Sequence, residues 1–260
     1  MFYKSPNNDK IINMKKLLKS IGKEKIVIFL DLEGTQFSHE LISLGACKAK
    51  VKKDGTFSRL DKGFQVYVKA KNHIGRFVER LTGINQALLD EKGISYIEAM
   101  NQFKKYVGRE FKKAKFVTFG SHDIRIFNQS EMHSGPADDE FFKIIRHNHV
   151  DLAKIISEYV KDDKNNPLSL SNYCKLFNVS MSGTEHEALS DAKNLAYLYN
   201  AIVKNPDFVS REYMKIIETG RGMPRPIQKL IKRLREQGSV DQKDLERFVK
   251  EEIKGEKTTK

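Results

Sequence analysis

The chain carries a set of acidic residues whose spacing suits a shared cation. Asp31 and Glu33 close an apolar run, Lys25-Ile26-Val27-Ile28-Phe29-Leu30, and the turn-forming Gly34 follows. Alternate side chains of a strand face one way, so Asp31 and Glu33 point together while Leu32 points back into the core. Two carboxylates that close ionise together only at a cost unless a cation neutralises them. Alone, the pair also fits a strand leaving the core into a polar turn.

Further candidates stand downstream. Asp123 lies in Phe119-Gly120-Ser121-His122-Asp123, after an apolar segment. Chemistry in parallel-sheet enzymes collects beyond strand ends, where helices begin, although an Asp in a first helical turn is favourable on its own account. The third segment is Thr184-Glu185-His186-Glu187-Ala188-Leu189-Ser190-Asp191-Ala192. Thr184 and Glu187 have capping-box spacing, which predicts His186 in a first helical turn. That position disfavours an imidazolium and suits a neutral proton acceptor, while a plain exposed histidine fits as well. Asp191 lies five residues on, about 140° further round the helix, so the two side chains do not share a stripe. One can sit under a metal while the other reaches a water. Asp191 has the apolar neighbours Leu189, Leu195 and Ala196 and so needs a partner or a metal.

These residues require elements to position them. After the strand ending at Asp31, the pattern predicts strands over Leu41–Val51 and Phe64–Val68, with an Asp54-Gly55 turn signal between them. Helices follow over Ile74–Leu81, Ile84–Leu89 and from Ser95, where Glu98 completes a capping box, to about Phe111. Phe116–Gly120 and His149–Leu152 read as two more strands. Helical segments follow over Ile155–Tyr159, Ser169–Phe177 and His186–Val203. The expectation is an α/β fold with a mixed five-stranded sheet, an antiparallel meander of three strands and then two parallel ones, flanked by helices.

Composition sets the outer limits. The chain has 260 residues, 39% of them hydrophobic, which suffices for a sizeable core. No apolar run approaches the roughly 18 residues of a membrane span, and Met1–Ser20 has no secretory-signal pattern. The two cysteines, Cys47 and Cys174, lack metal-ligand spacing, and a cytoplasmic protein with idle thiols is expected. A net charge of +13 favours polyanionic partners, and equally a merely solubilising surface. The globular pattern weakens around Asn205-Pro206. Arg221–Pro226 reads as a linker, and Ile227–Glu236 and Asp241–Lys254 as charged helices. Arg225, Lys229, Lys232, Arg233 and Arg235 could meet nucleic acid there, though a charge run is commonly a solvated face. The division expected is a basic extension over 1–23, a main domain over 24–205 and a helical appendage over 206–260.

In order and spacing, these segments resemble the DEDD superfamily of 3′–5′ exonucleases in its histidine-bearing branch. Phe29–Thr35, Phe119–Asp123 (Phe119 standing where many members carry Trp) and His186–Ala192 match its three motifs. The resemblance runs from about Lys25 to Val203. It implies the ribonuclease-H-like fold, a nucleic-acid partner with a free 3′ end, no membrane, and two divalent ions, Mg²⁺ or Mn²⁺. Those ions would be held by Asp31, Glu33, Asp123 and Asp191, with Asp31 bridging and Asp123 mainly in an outer role. Hard oxygen ligands suit such ions, and no Cys/His set for zinc is present. His186 would be general base, and nucleoside 5′-monophosphates the product. Gly34, Thr35, Phe37, Leu81, Thr82 and Ile84 would contact substrate, although Phe37 and Leu81 also fit a core. A non-catalytic nucleic-acid-binding module and a ribonuclease-H-type endonuclease are the alternatives. No motif separates RNA from DNA.

Overall fold

The structure is a computed structural model that describes residues 14–22, 26–135, 140–184, 186–219 and 222–254. Strand β1 (Ile26–Gly34) is buried on both faces from Val27 to Leu30. An apolar run without alternation belongs inside a sheet, and β1 lies there. It pairs antiparallel with β2 (Leu41–Val51) and, across its other edge, parallel with β5 (Lys115–Thr118). β3 (Phe57–Leu60) and β4 (Phe64–Tyr67) both pair antiparallel with β2, towards its two ends. β6 (His149–Asp151) extends the parallel side beyond β5. The mixed sheet has the order β3-β2-β1-β5-β6, with β4 beside β2. The expected meander and both parallel strands are present, and β3 makes a sixth strand. Its four residues lie at an edge with no side chain fully buried, so no apolar run marks it.

Helices cover both faces. α4 (Tyr96–Val107), α5 (His122–Ser134) and α6 (Phe141–His147) pack against Ile28, Leu30, Leu32, Leu44 and Phe116. On the opposite face α1 (Met14–Ile21), α7 (Leu152–Ile156), α8 (Leu170–Leu176) and α9 (Ala188–Lys204) pack against Val27, Phe29, Cys47, Ala49 and Val117. The alternation along β1 therefore sends Asp31 and Glu33 to the α9 side, as the period of two requires. α2 (Arg76–Thr82) and α3 (Gln86–Lys92) flank Gly83 and close a small satellite core of Ile42, Ile74, Ile84 and Leu89. Ser95 caps α4 by accepting from the Glu98 N–H at 3.2 Å, as its capping box predicts.

Asn205 ends α9, and Pro206 opens α10 (Pro206–Thr219), because a proline suits a first helical position. The C-terminal third differs from expectation at the linker Arg221–Pro226. Arg221 lies outside the described residues, and α11 (Arg225–Gln237) already contains Pro226 in its first turn. α11 then pairs with α12 (Gln242–Lys254) through two ion pairs among the described residues. At the other end, α1 places Leu17 and Ile21 in the core, while residues 1–13, 23–25 and 255–260 lie outside the described set. Cys47 and Cys174 are buried free thiols. No helix among the described residues is long and apolar enough to cross a membrane.

Candidate active site

The site forms where β1 outruns its parallel neighbour. Pairing between β1 and β5 stops at Phe29–Val117, so the β1 edge beyond it offers unpaired backbone groups. The first turn of α5 fills the gap: Asp123 accepts from the Leu32 N–H at 2.9 Å. One oxygen of Asp123 is thereby fixed between Asp31 and Glu33. The turn that delivers it is held from behind by a residue the sequence reading missed. Asp151, at the end of β6, accepts from the Gly120 N–H at 3.1 Å and from the Lys154 N–H at 2.9 Å. Thr118 donates its hydroxyl to the Gly120 carbonyl at 2.5 Å and lies 2.7 Å from His149 Nε2. A carboxylate at a strand end was the available signal for Asp151, as it was for Asp31.

α9 brings the remaining residues, and a glycine lets it approach. Gly45 on β2 is the cross-strand partner of Asp31. A Cβ there would lie 2.1 Å from the Ala188 carbonyl carbon and 2.3 Å from the Leu189 nitrogen. The first turn of α9 thus rests on the strand backbone itself. A glycine inside a strand pattern signals such an approach, and the sequence reading passed over it.

His186 does not occupy the first helical turn that its capping box predicts. α9 starts at Ala188, and His186 stands in the preceding turn with a φ of 67°. Two side chains rearrange the expected cap. Glu187 accepts from the Ser190 hydroxyl at 2.6 Å, and Asp191 accepts from the His186 N–H at 2.8 Å. Asp191 therefore anchors the histidine turn directly. Glu185 lies outside the described residues.

Four carboxylates and the imidazole meet at this end of the sheet. One ligand atom from each of Glu33, His186 and Asp191 lies within 4.8 Å of the others. Asp31 and Asp123 stand close enough for their charges to act on the cluster. Burial, then the charges of Asp123, Glu33 and Asp191, push the Asp31 carboxyl well above the usual range. Burial, followed by Asp191 and Asp123, pushes Glu33 up to about 8. Burial also raises Asp123, against the hydrogen bond from Leu32 that favours its ionised form. Neither the Asp31 nor the Glu33 carboxylate has a hydrogen-bond or ion-pair partner among the described residues. The Ser43 hydroxyl, on the residue across from Glu33, is buried without a partner too. Oxygen donors gathered this closely, with no cationic side chain among the described residues to neutralise them, fit a hard divalent ion. A cleft of about 290 Å³ opens beside them, lined by Ser169, Leu170, Ser171, Met181, His186 and Asp191.

The six expected substrate contacts fall into two groups. Phe37 and Leu81 are 80% and 40% exposed, so neither belongs to the core. Ile84, by contrast, is buried in the satellite core. Thr35 is buried as well, its hydroxyl shared between Ser38 Oγ at 2.7 Å and the Glu40 N–H at 2.9 Å. Thr82 turns its hydroxyl to the Val78 carbonyl at 2.9 Å. Gly34 lies at the register shift of β1, where a Cβ would meet the Ile126 side chain at 3.0 Å. The Phe37 loop is tied down by Glu40, which accepts from the Lys71 N–H at 2.8 Å and the Asn72 N–H at 3.1 Å. Those bonds hold the Glu40 carboxyl below its ordinary value despite its burial.

A mixed sheet with this strand order and this carboxylate cluster defines a ribonuclease-H-like exonuclease fold. Residues 28–199 match the sequence model of the RNase T family, described as an exonuclease, and the chain belongs to that family. Human ERI1 exoribonuclease 2 is 25% identical over 201 residues, which cover 66% of this chain and 27% of that protein. The chain thus spans about a quarter of that relative's length. Among solved structures, cell-death related nuclease 4 (CRN-4) aligns with a TM-score of 0.56 and 21% identity, over 69% of this chain and 64% of its own. A 3′-exonuclease described in 3′-end specific recognition of a histone mRNA stem-loop gives 0.58 and 18%, over 74% and 69%. The nuclease domain of 3′hExo, a DEDDh family member bound to rAMP, gives 0.54 and 19%, over 71% and 94%. These structural likenesses are likenesses of fold.

Proposed function

We propose that this protein is a divalent-metal-dependent 3′–5′ exonuclease that releases nucleoside 5′-monophosphates from single-stranded nucleic acid. The observation that carries the reading is the convergence of Asp31, Glu33, Asp123, Asp191 and His186 at one strand end, with no cationic side chain among the described residues to neutralise the carboxylates. Asp31, Glu33, Asp123 and Asp191 would hold two ions, Mg²⁺ or Mn²⁺. Such ions supply charge neutralisation at the reacting phosphate and at both oxygens of an in-line displacement.

The protein's own groups do the rest. His186 takes a proton from the attacking water, whose oxygen forms the new bond to phosphorus. The bond from phosphorus to the 3′ oxygen of the preceding nucleotide breaks, and that oxygen leaves with a proton drawn from solvent, to which His186 returns the one it accepted. Asp191 orients His186 by holding its backbone N–H, and Leu32 holds Asp123 between the two β1 carboxylates. Phe37 and Leu81 offer exposed apolar surface on which a terminal base could rest. The curated relative carries the name exoribonuclease, so RNA is the first substrate to try.

Matched single-stranded RNA and DNA, each with a free or a blocked 3′ end, separate this reading from an endonuclease. Blocking the 3′ end should abolish cleavage, and cleavage that survives the block would refute the direction proposed.

A further inference from the structure

A second cavity lies apart from the cleft beside His186. About 480 Å³ opens between the end of α10, at Glu218 and Thr219, and one face of α11. α11 carries Arg225, Lys229, Lys232, Arg233 and Arg235 against a single acid, Glu236. At about 100° per residue, Arg225, Lys229 and Lys232 fall on one stripe with Arg235 at its shoulder, and these four line the cavity.

The five cations divide by what they touch. Arg233 meets Asp244 of α12 at 3.0 Å and Lys229 meets Glu251 at 2.7 Å, both with side chains largely covered. Those two hold the hairpin together. Arg235 lies 3.7 Å from Glu218 and Lys232 3.9 Å from Glu236, with their side chains 69% and 75% exposed. Exposed pairs at such distances stabilise little and yield readily to a competing anion. Arg225 has no ion-pair partner among the described residues. Among the described residues no aromatic ring lines the cavity, so its chemistry suits phosphates read without regard to sequence.

The position relates to the cleft. Thr219 also borders a hollow lined by Lys161, Asn165 and Lys215 together with the acids Asp162, Asp163 and Glu212. The chain leaving that hollow runs directly into Ser169–Ser171, which line the cleft. We propose that the α10–α11 groove is a second nucleic-acid contact, gripping the phosphate backbone of a single strand on the 5′ side of the segment held in the cleft. This inference rests on the exonuclease reading above for the nature of its ligand.

The test uses the full chain and the triple variant Arg225→Ala, Lys232→Ala, Arg235→Ala, which spares the two hairpin ion pairs. Binding of a labelled RNA of about 30 nucleotides is measured by anisotropy in chelator across a salt series, so cleavage is not needed. Loss of three phosphate contacts should lower the salt slope by about 2 and weaken binding at least tenfold. In magnesium, kcat/KM on the long strand should fall about tenfold while that on a tetranucleotide stays within about twofold. A double variant, Arg225→Lys with Arg235→Lys, should keep wild-type binding. An unchanged salt slope, or equal losses on the long and short substrates, would overturn the inference. Failure of the wild type to cleave either substrate would instead strike at the cleft, with the binding series still deciding the groove.

Discussion

Asp31 sits where three other negative charges converge. Its burial costs stability in the metal-free protein and is useful only once a cation arrives, the usual tension between stability and activity. Asp31→Ala should therefore abolish turnover while melting no lower than wild type in chelator. Asp191→Ala should also abolish turnover, but it removes the acceptor of the His186 N–H, so it should loosen that turn as well. Circular-dichroism melts beside activity assays check both, and unchanged turnover in either variant would remove that residue from the site. His186 is argued to move a proton rather than to bind substrate. His186→Ala should lower kcat by about 10²–10⁴-fold, the usual contribution of a general base, with KM little changed. A variant that loses only affinity would contradict that role.

At the scale of elements, the site depends on two docking events: the α5 turn against the free β1 edge, and the start of α9 against Gly45. The second admits a single-atom test. A Cβ at Gly45 would collide with backbone atoms, which cannot swing aside as a side chain could. Gly45→Ala should cost about 1–3 kcal/mol, as overpacking does. It should also lower activity at least tenfold by displacing His186 and Asp191, measured by melts and by kcat on one substrate. Wild-type activity in a folded variant would mean that α9 need not sit so close. Much of this arrangement was legible in the chain. The unbroken apolar run of β1, the carboxylates after strands and the glycine-punctuated helices all follow from period and turn chemistry. What was illegible has physical reasons. β3 is too short and exposed to show alternation. The Thr184–Glu187 capping box does not form, because the Glu187 carboxylate accepts from the Ser190 hydroxyl instead and Asp191 holds the His186 N–H ahead of the helix. Thr35 and Ile84 are spent on a loop bond and a satellite core, which spacing alone does not disclose.

For the whole molecule, the cluster ties stability to pH and to cations. The folded-state value of Glu33, about 8, lies above its ordinary 4.5, and Asp31 and Asp123 shift in the same direction. The folded chain therefore binds more protons than the unfolded one. This contribution to stability is fully present below about pH 4.5 and is lost as pH rises towards 8. In chelator, the part of the melting temperature that the cluster governs should fall over that window. Magnesium binds the ionised form, so its stabilising effect should grow with pH. At a hundredfold excess over its dissociation constant it should reach about 2.7 kcal/mol, or roughly 5–10 °C. Paired melts at pH 5 and pH 8.5, with magnesium and with chelator, measure it. A magnesium shift independent of pH would mean that the ion binds elsewhere.

The most direct test of the exonuclease reading is product analysis by mass spectrometry, with purified protein and a single-stranded RNA of defined sequence. In magnesium, nucleoside 5′-monophosphates should appear one at a time in order from the 3′ end, and none should form in chelator or with Asp31→Ala. Internal oligonucleotide fragments, 3′-monophosphates, or release that persists in chelator would contradict it.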